Sequence, residues 1–161
     1  MRAAAIELYK ITNRKNYLQE AENIAEYLRT WTYFYDVSYG SDTDATKTGF
    51  RTSGGTAVSV QHNHLDDWAL FYLPYLFQLS ELTGNKSWAV LARAHWAYST
   101  QYISDGTFIL HGMTRPRGAQ NEGFYQCNWS DPKGSLNDWL VAWVKTFQLD
   151  ALEYMRENGI L

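Results

Sequence analysis

One cysteine, Cys127, is all the sequence holds, so no internal disulfide forms and a reducing compartment is permitted. There is no basic run, and the net charge is −3. That excludes the electrostatic footprint of non-specific binding to nucleic acid or to an anionic membrane. The first residues, MRAAAIELYK, lack the apolar core of a signal peptide and read as helix. The most apolar run, WALFYLPYLF at 68–77, is too short and too aromatic to span a bilayer. The expectation is a soluble cytoplasmic protein, a single domain over 1–161 that is long enough to bury a core.

Aromatics are what the chain has in excess. They make up 16% of it, with seven Trp and twelve Tyr, more than a core alone requires. Such a surplus suggests a surface that stacks something flat, such as sugar rings or bases.

Sliding the sequence along itself by 71 positions reveals a repeat. Leu8, Ile11, Thr12, Lys15, Tyr17 and Ala21 fall on Leu79, Leu82, Thr83, Lys86, Trp88 and Ala92. The same shift carries Leu65-Asp66-Asp67-Trp68 onto Leu136-Asn137-Asp138-Trp139. Two segments aligned in one order by one shift point to a stacked or toroidal architecture.

Each unit reads as a helical hairpin followed by a long loop. Apolar residues recur at helical spacing at Tyr17, Ala21, Ile24 and Leu28, and again at Trp88, Ala92, His95, Ser99 and Tyr102. Each series predicts one buried stripe. The helices that start at Asp67 and Asp138 are apolar all round (WALFYLPYLF, WLVAWV), which predicts burial on every side, with a kink at Pro74 about two turns in. Short turns, TNRK and TGNK, make the helix pairs antiparallel neighbours. The connections 33–65 and 105–135 are far longer than usual, which marks them as functional. In the second, the runs Thr107–Met113 and Gly123–Trp129 predict a β-hairpin across TRPRGAQNE. In the first, Gly54-Gly55 before TAVSV suggests another.

The alternation of apolar and amphipathic helices in LYKITNRKNYLQEAENIAEYLRTW and LDDWALFYLPYLFQLSELTGNKSWAVLARA, with elaborate loops at one rim, resembles the (α/α) toroid. Within it, the chain looks like the six-hairpin glycosidase superfamily, which includes the unsaturated glucuronyl hydrolases and sugar 2-epimerases. The expected fold is all-α, a partial toroid of about two and a half hairpins with short β-hairpins in the long loops. The resemblance covers the C-terminal part of such a ring. The expected partner is a second copy or a missing N-terminal half, because an incomplete ring leaves apolar helix faces open.

Candidate site residues come from the loops. Asp67 and Asp138 recur in both copies and open helices, as capping residues do. Trp68 and Trp139 read as core or as a pocket wall. His62, His64 and Asp66 differ, since their counterparts are Lys133, Ser135 and Asn137. Imidazoles suit proton transfer near neutral pH, and residues at i and i+2 of an extended segment point the same way. The series His62-x-His64-x-Asp66-Asp67 resembles the HxHxDH metal motif of the metallo-β-lactamase fold, with Asp where that motif ends in His. No third histidine lies close in sequence, so no metal is expected. In the second loop Arg115 and Arg117 alternate around Pro116, a geometry that grips a carboxylate or sugar hydroxyls if the segment is extended. Glu122 sits among Phe124, Tyr125 and Trp129, where apolar surroundings would raise its pKa toward that of a general acid. Asp105 reads as a turn residue and His111 as a possible pocket contact.

The function expected is that of a glycoside hydrolase-like domain acting on an oligosaccharide without a cofactor. Such chemistry needs two carboxyl groups, here Asp66 or Asp67 with Glu122. Arg115, Arg117, Trp68, Trp129 and His111 would bind substrate, and the resemblance to glucuronyl hydrolases implies an acidic sugar. Two other readings stand beside it. One is a sugar 2-epimerase-type isomerase in which His62 or His64, together with His111, exchanges a proton on the carbon next to a carbonyl; the other is a non-catalytic module that binds glycans or a partner chain.

Overall fold

The computed structural model describes residues 2–38, 40–57, 64–101, 103–107, 109–110, 113–119, 125–126, 135–136 and 142–161. The chain is predominantly helical. Helices α1 (Arg2–Thr12) and α2 (Lys15–Arg29) form the first hairpin, and α3 (Asp44–Thr48) is a single short turn in the loop after it. A 3-10 helix, Trp68–Tyr72, leads directly into α4 (Leu73–Thr83), which pairs with α5 (Ser87–Thr100). The last helix is α6 (Ala142–Glu157). Two hairpins and a fifth long helix are present, as the repeat predicts.

The repeat is visible in the turns bond for bond. Thr12 Oγ1 donates to the Leu8 carbonyl at 2.6 Å, and Thr83 Oγ1 donates to Leu79 at 2.7 Å. The same hydroxyls accept the amides of Arg14 and Asn85. Between them stand Asn13 and Gly84, both left-handed at φ 53° and 74°. Asparagine and glycine are the residues that tolerate this conformation at a helix end.

The core gathers around α4. Leu73, Leu76 and Leu79 are buried together with Ile6 of α1, Ala21 and Ala25 of α2, Trp88 and Ala92 of α5, and Ala151 and Met155 of α6. Each buried leucine is worth about 2 kcal/mol in area removed from water. The stripe predicted on α5 is the one found, with Trp88, Ala92, His95 and Ser99 all buried; Tyr102 lies outside the described residues.

Three expectations need correction. Pro74 does not kink a helix; it stands in the first turn of α4, where no amide partner is needed. The residues before it wind as a 3-10 helix instead. The run WALFYLPYLF is also not buried on every side, since Phe71 and Trp68 are exposed. The side chains of WLVAWV lie outside the described residues; further along α6, Gln148, Ala151 and Met155 are buried while Leu149 is 65% exposed.

The strands connect the two long loops. Strands β1 (Thr56–Ala57) and β2 (His64–Asp66) pair antiparallel, β2 pairs with β5 (Tyr125–Gln126), and β5 pairs with β6 (Ser135–Leu136). Strands β3 (Ile109–Leu110) and β4 (Met113–Thr114) form a separate hairpin. The second loop therefore does not fold as one hairpin of the runs 107–113 and 123–129. The first run turns back on 113–114, and Tyr125–Gln126 pairs with the first loop instead. Short strands gain little from a local partner alone, so pairing across loops prevails.

Candidate functional site

The first loop is fastened to α5 at two points. Gly54, at φ 89°, lies so close to α5 that a β-carbon would meet the Ala94 carbonyl oxygen at 2.3 Å. At that contact the His95 Nδ1–H donates to the Gly54 carbonyl at 2.7 Å. Three residues earlier, the Gln101 amide bonds both the N–H and the carbonyl of Arg51, at 2.8 and 3.0 Å. Asp36 accepts the Ser53 amide at 2.9 Å. Burial alone would raise its pKa, but the bonds from Ser53 and the Arg51 guanidinium outweigh it and hold the carboxyl below its ordinary value.

With the loop anchored, Trp31–Tyr33 run alongside residues 54–57. The Tyr33 N–H donates to Gly55 and the Ala57 N–H to Trp31, at 2.9 and 2.8 Å. This pairing places the end of α2 beside β1 and the 3-10 helix. Between them opens a cleft of about 420 Å³ lined by Tyr27, Leu28, Trp31, Thr56, Ala57, Trp68 and Tyr72. Tyr27 and Trp31, one helical turn apart, meet edge to face at 6.4 Å. Behind the cleft, the His95 ring packs edge-on against Tyr72 at 5.8 Å. Four aromatic rings, from the end of α2 and from the 3-10 helix, face one cavity, and the hydroxyls of Thr56 and Tyr72 are themselves buried. Such a surface stacks on a flat or ring-shaped apolar face and selects little by charge.

Among the described candidate site residues, Trp68 lines this cleft, and at 42% exposure it is a wall and not core. Asp66 stands in β2 at the register position opposite Thr56, so its backbone adjoins the cleft floor. His64 is paired with Gln126 in the same sheet. The side chains of His64 and Asp66, and all of His62, His111, Glu122, Trp129 and Asp138, lie outside the described residues.

Asp67 is 1% exposed, and its side chain makes no capping bond; the backbone carbonyl accepts the Leu70 amide at 2.9 Å. The capping role assigned to it is therefore corrected: a 3-10 start uses the carbonyl, and the carboxylate is turned into the protein. Arg115 and Arg117 do not share an extended face. The Ala119 N–H donates to the Pro116 carbonyl at 3.0 Å and Gly118 sits at φ 79°, so Arg117 is inside a tight turn and exposed, whereas Arg115 is half-buried. Proline followed two residues later by glycine favours that turn over a strand. Ser104 holds the turn in place: its hydroxyl donates to Arg115 and its backbone bonds Gly118 and Ala119. Asp105 is the turn residue expected, accepting the Thr107 amide and hydroxyl at 2.8 and 2.6 Å. Those bonds lower its pKa.

Tyr27, Trp31 and Tyr72 were missed by sequence reasoning. A signal was present: Tyr27 and Trp31 are four residues apart at the end of α2, and Tyr27 lies off the stripe that α2 buries. Among the described residues no group of His, Cys, Asp and Glu is placed to hold a metal ion, and no helix is long and apolar enough to cross a membrane. Comparison with protein-family models, with curated proteins and with solved structures finds no match to this chain.

Proposed function

We propose that this chain is a carbohydrate-active protein, a glycoside hydrolase-like domain whose sugar seat is the aromatic cleft between α2, β1 and the 3-10 helix. The observation that carries the reading is the cleft itself: Tyr27, Trp31, Trp68 and Tyr72 around about 420 Å³, enough for one or two sugar rings. A pyranose presents an apolar C–H face to such rings and its hydroxyls to the open side. In this reading the two and a half hairpins belong to a toroid of the six-hairpin glycosidase kind. Two helix pairs with the same turn bonds, and two long connections joined in one sheet, support that architecture.

The catalytic pair in this reading is Asp66 with Glu122. Asp67 is buried too deeply to touch a ligand, whereas Asp66 stands opposite a residue of the cleft floor. Arg115 and Arg117 are the cations available for an acidic sugar. A second reading, glycan binding without catalysis, is favoured by one observation: no carboxylate or imidazole lines the described cleft.

One titration series separates these. Neutral and uronate-containing oligosaccharides are titrated against the chain by calorimetry while reducing ends are assayed. The hydrolase reading expects saturable binding that Trp68→Ala weakens at least tenfold, and turnover that Asp66→Asn abolishes while binding persists. Binding without new reducing ends establishes the second reading. No saturable binding by any oligosaccharide sinks both.

A further inference from the structure

The turns give α1, α4 and α6 a common register. Each ends at a left-handed residue, Asn13 at φ 53°, Gly84 at φ 74° and Gly159 at φ 61°. Counting back from these, Ile6 and Lys10 of α1 correspond to Phe77 and Glu81 of α4, and to Leu152 and Arg156 of α6. On a second face, Glu7 and Leu8 correspond to Gln78 and Leu79, and to Glu153 and Tyr154.

The first face is the one that carries the next helix. Ile6 is buried, and Lys10 Nζ donates to Gln78 Oε1 of α4 at 2.8 Å. One unit on, Phe77 stacks on Tyr154 of α6 at 6.3 Å, and the Tyr154 hydroxyl lies in a bond with Gln78 and in the field of Glu81. The second face is the one that receives the previous helix: Leu79 is fully buried beside Gln78, and Tyr154 is covered by Phe77. The Lys10–Gln78 bond and the Phe77–Tyr154 stack thus each join a carrying face to a receiving face, with Gln78 touching both neighbours.

Two such faces are left open. On α6 the carrying face holds Leu152, with Leu149 one turn earlier, and both are exposed. On α1 the receiving face holds Leu8 and, one turn later, Ile11, which is 79% exposed. Their polar members have opposite charges. Arg156 occupies the position of Lys10, and Glu7 the position of Gln78, so the pair that is ammonium to amide inside the chain becomes guanidinium to carboxylate between the open ends. Glu7 already accepts Lys10 Nζ at 2.8 Å, and a carboxylate has lone pairs for both cations.

We propose that copies of this chain associate head to tail, α6 of one copy seating Leu149, Leu152 and Arg156 on Ala4, Glu7, Leu8 and Ile11 of α1 of the next. The contact is heterologous, so copies add to rings or rows and not to a symmetric pair. It does not depend on the sugar-binding reading.

Sedimentation of the 161-residue chain up to about 100 µM, a range that detects weak association, provides the test. The expected result is a mass that rises with concentration. Leu152→Glu and Ile11→Glu, both at exposed positions, each weaken association roughly tenfold or more. An equimolar mixture of the two variants forms a dimer and stops there, since each contributes one intact face. Glu7→Arg weakens association, and adding Arg156→Glu to the same chain restores it. Circular dichroism checks that every variant is as helical as the parent. A parent that stays monomeric overturns the proposal. So does a mixture that fails to pair, or association indifferent to all four substitutions.

Discussion

The two helical hairpins differ in one respect that their sequences do not announce. Their turns are alike: the same threonine-to-carbonyl bond and a left-handed residue at the same position, although α5 begins one residue later than α2 does. Yet Leu79 is fully buried whereas Leu8, its counterpart, is 41% exposed. Trp88 is buried too, while Tyr17 at the same position is only half-covered. Local chemistry makes the hairpins equal, and position in the row makes them unequal. The second hairpin has a neighbour on each side, α1 and α6, and the first has a neighbour on one side only. An apolar side chain is stabilising only to the extent that something covers it.

The sharpest way to break that comparison is to truncate the equivalent leucines. Leu79→Ala is expected to cost about 2–5 kcal/mol by the cavity it leaves, and Leu8→Ala less than about 1 kcal/mol. Urea unfolding of dilute protein reads both, and equal losses would mean that the hairpins are equally buried in solution. At higher concentration the Leu8→Ala penalty should grow if α1 is covered by a second copy.

The glycine that fastens the first loop comes next. Gly54→Ala is expected to cost roughly 2–4 kcal/mol, because the new carbon meets the Ala94 carbonyl oxygen and the backbone is left-handed. Gly49→Ala pays the left-handed conformation alone, about 1 kcal/mol, since nothing lies near its missing carbon. Thermal melts of the two variants should therefore differ clearly.

A smaller effect tests the turns. Asn13→Gly is expected to stabilise by a few tenths of a kcal/mol, and Gly84→Ala to destabilise by about 1 kcal/mol, if both positions are left-handed as a repeated turn requires. An Asn13→Gly variant that is destabilised, or a Gly84→Ala variant that is not, in denaturant titrations would mean that the turns are not alike.

The smallest effect compares the loops. Asp36 in the first and Asp105 in the second each accept an amide two or more residues ahead, and both are held below the ordinary carboxylate value. A carboxyl lowered on folding contributes stability that is present above its unfolded value and is lost as the pH falls through its folded value. Asp36→Asn should therefore be slightly less stable than the parent at neutral pH. The difference should shrink as the pH falls below the ordinary carboxylate value and through the lower folded one. A difference that persists unchanged in strong acid would show that the bond to Ser53 and not the charge is what matters.

By itself the sequence determined what neighbours along the chain decide. The 71-residue repeat, the Thr-Asn and Thr-Gly turns, the buried stripe of Trp88, Ala92, His95 and Ser99, and the turn at Asp105 were all legible, because each rests on residues within a few positions of one another. The tertiary structure decided the rest. It chose a partner for Tyr125–Gln126 across 60 residues of chain, it turned the Asp67 carboxylate inward, and it set Pro74 in a first turn by winding the residues before it as a 3-10 helix. It also assembled the cleft: Tyr27 and Trp31 reach Trp68 and Tyr72 only because Gly54 lies flat on α5 and carries β1 between them. Periodicity in a sequence states which face of a helix is apolar. Only packing decides whether another helix, a sheet or an open cleft lies against that face.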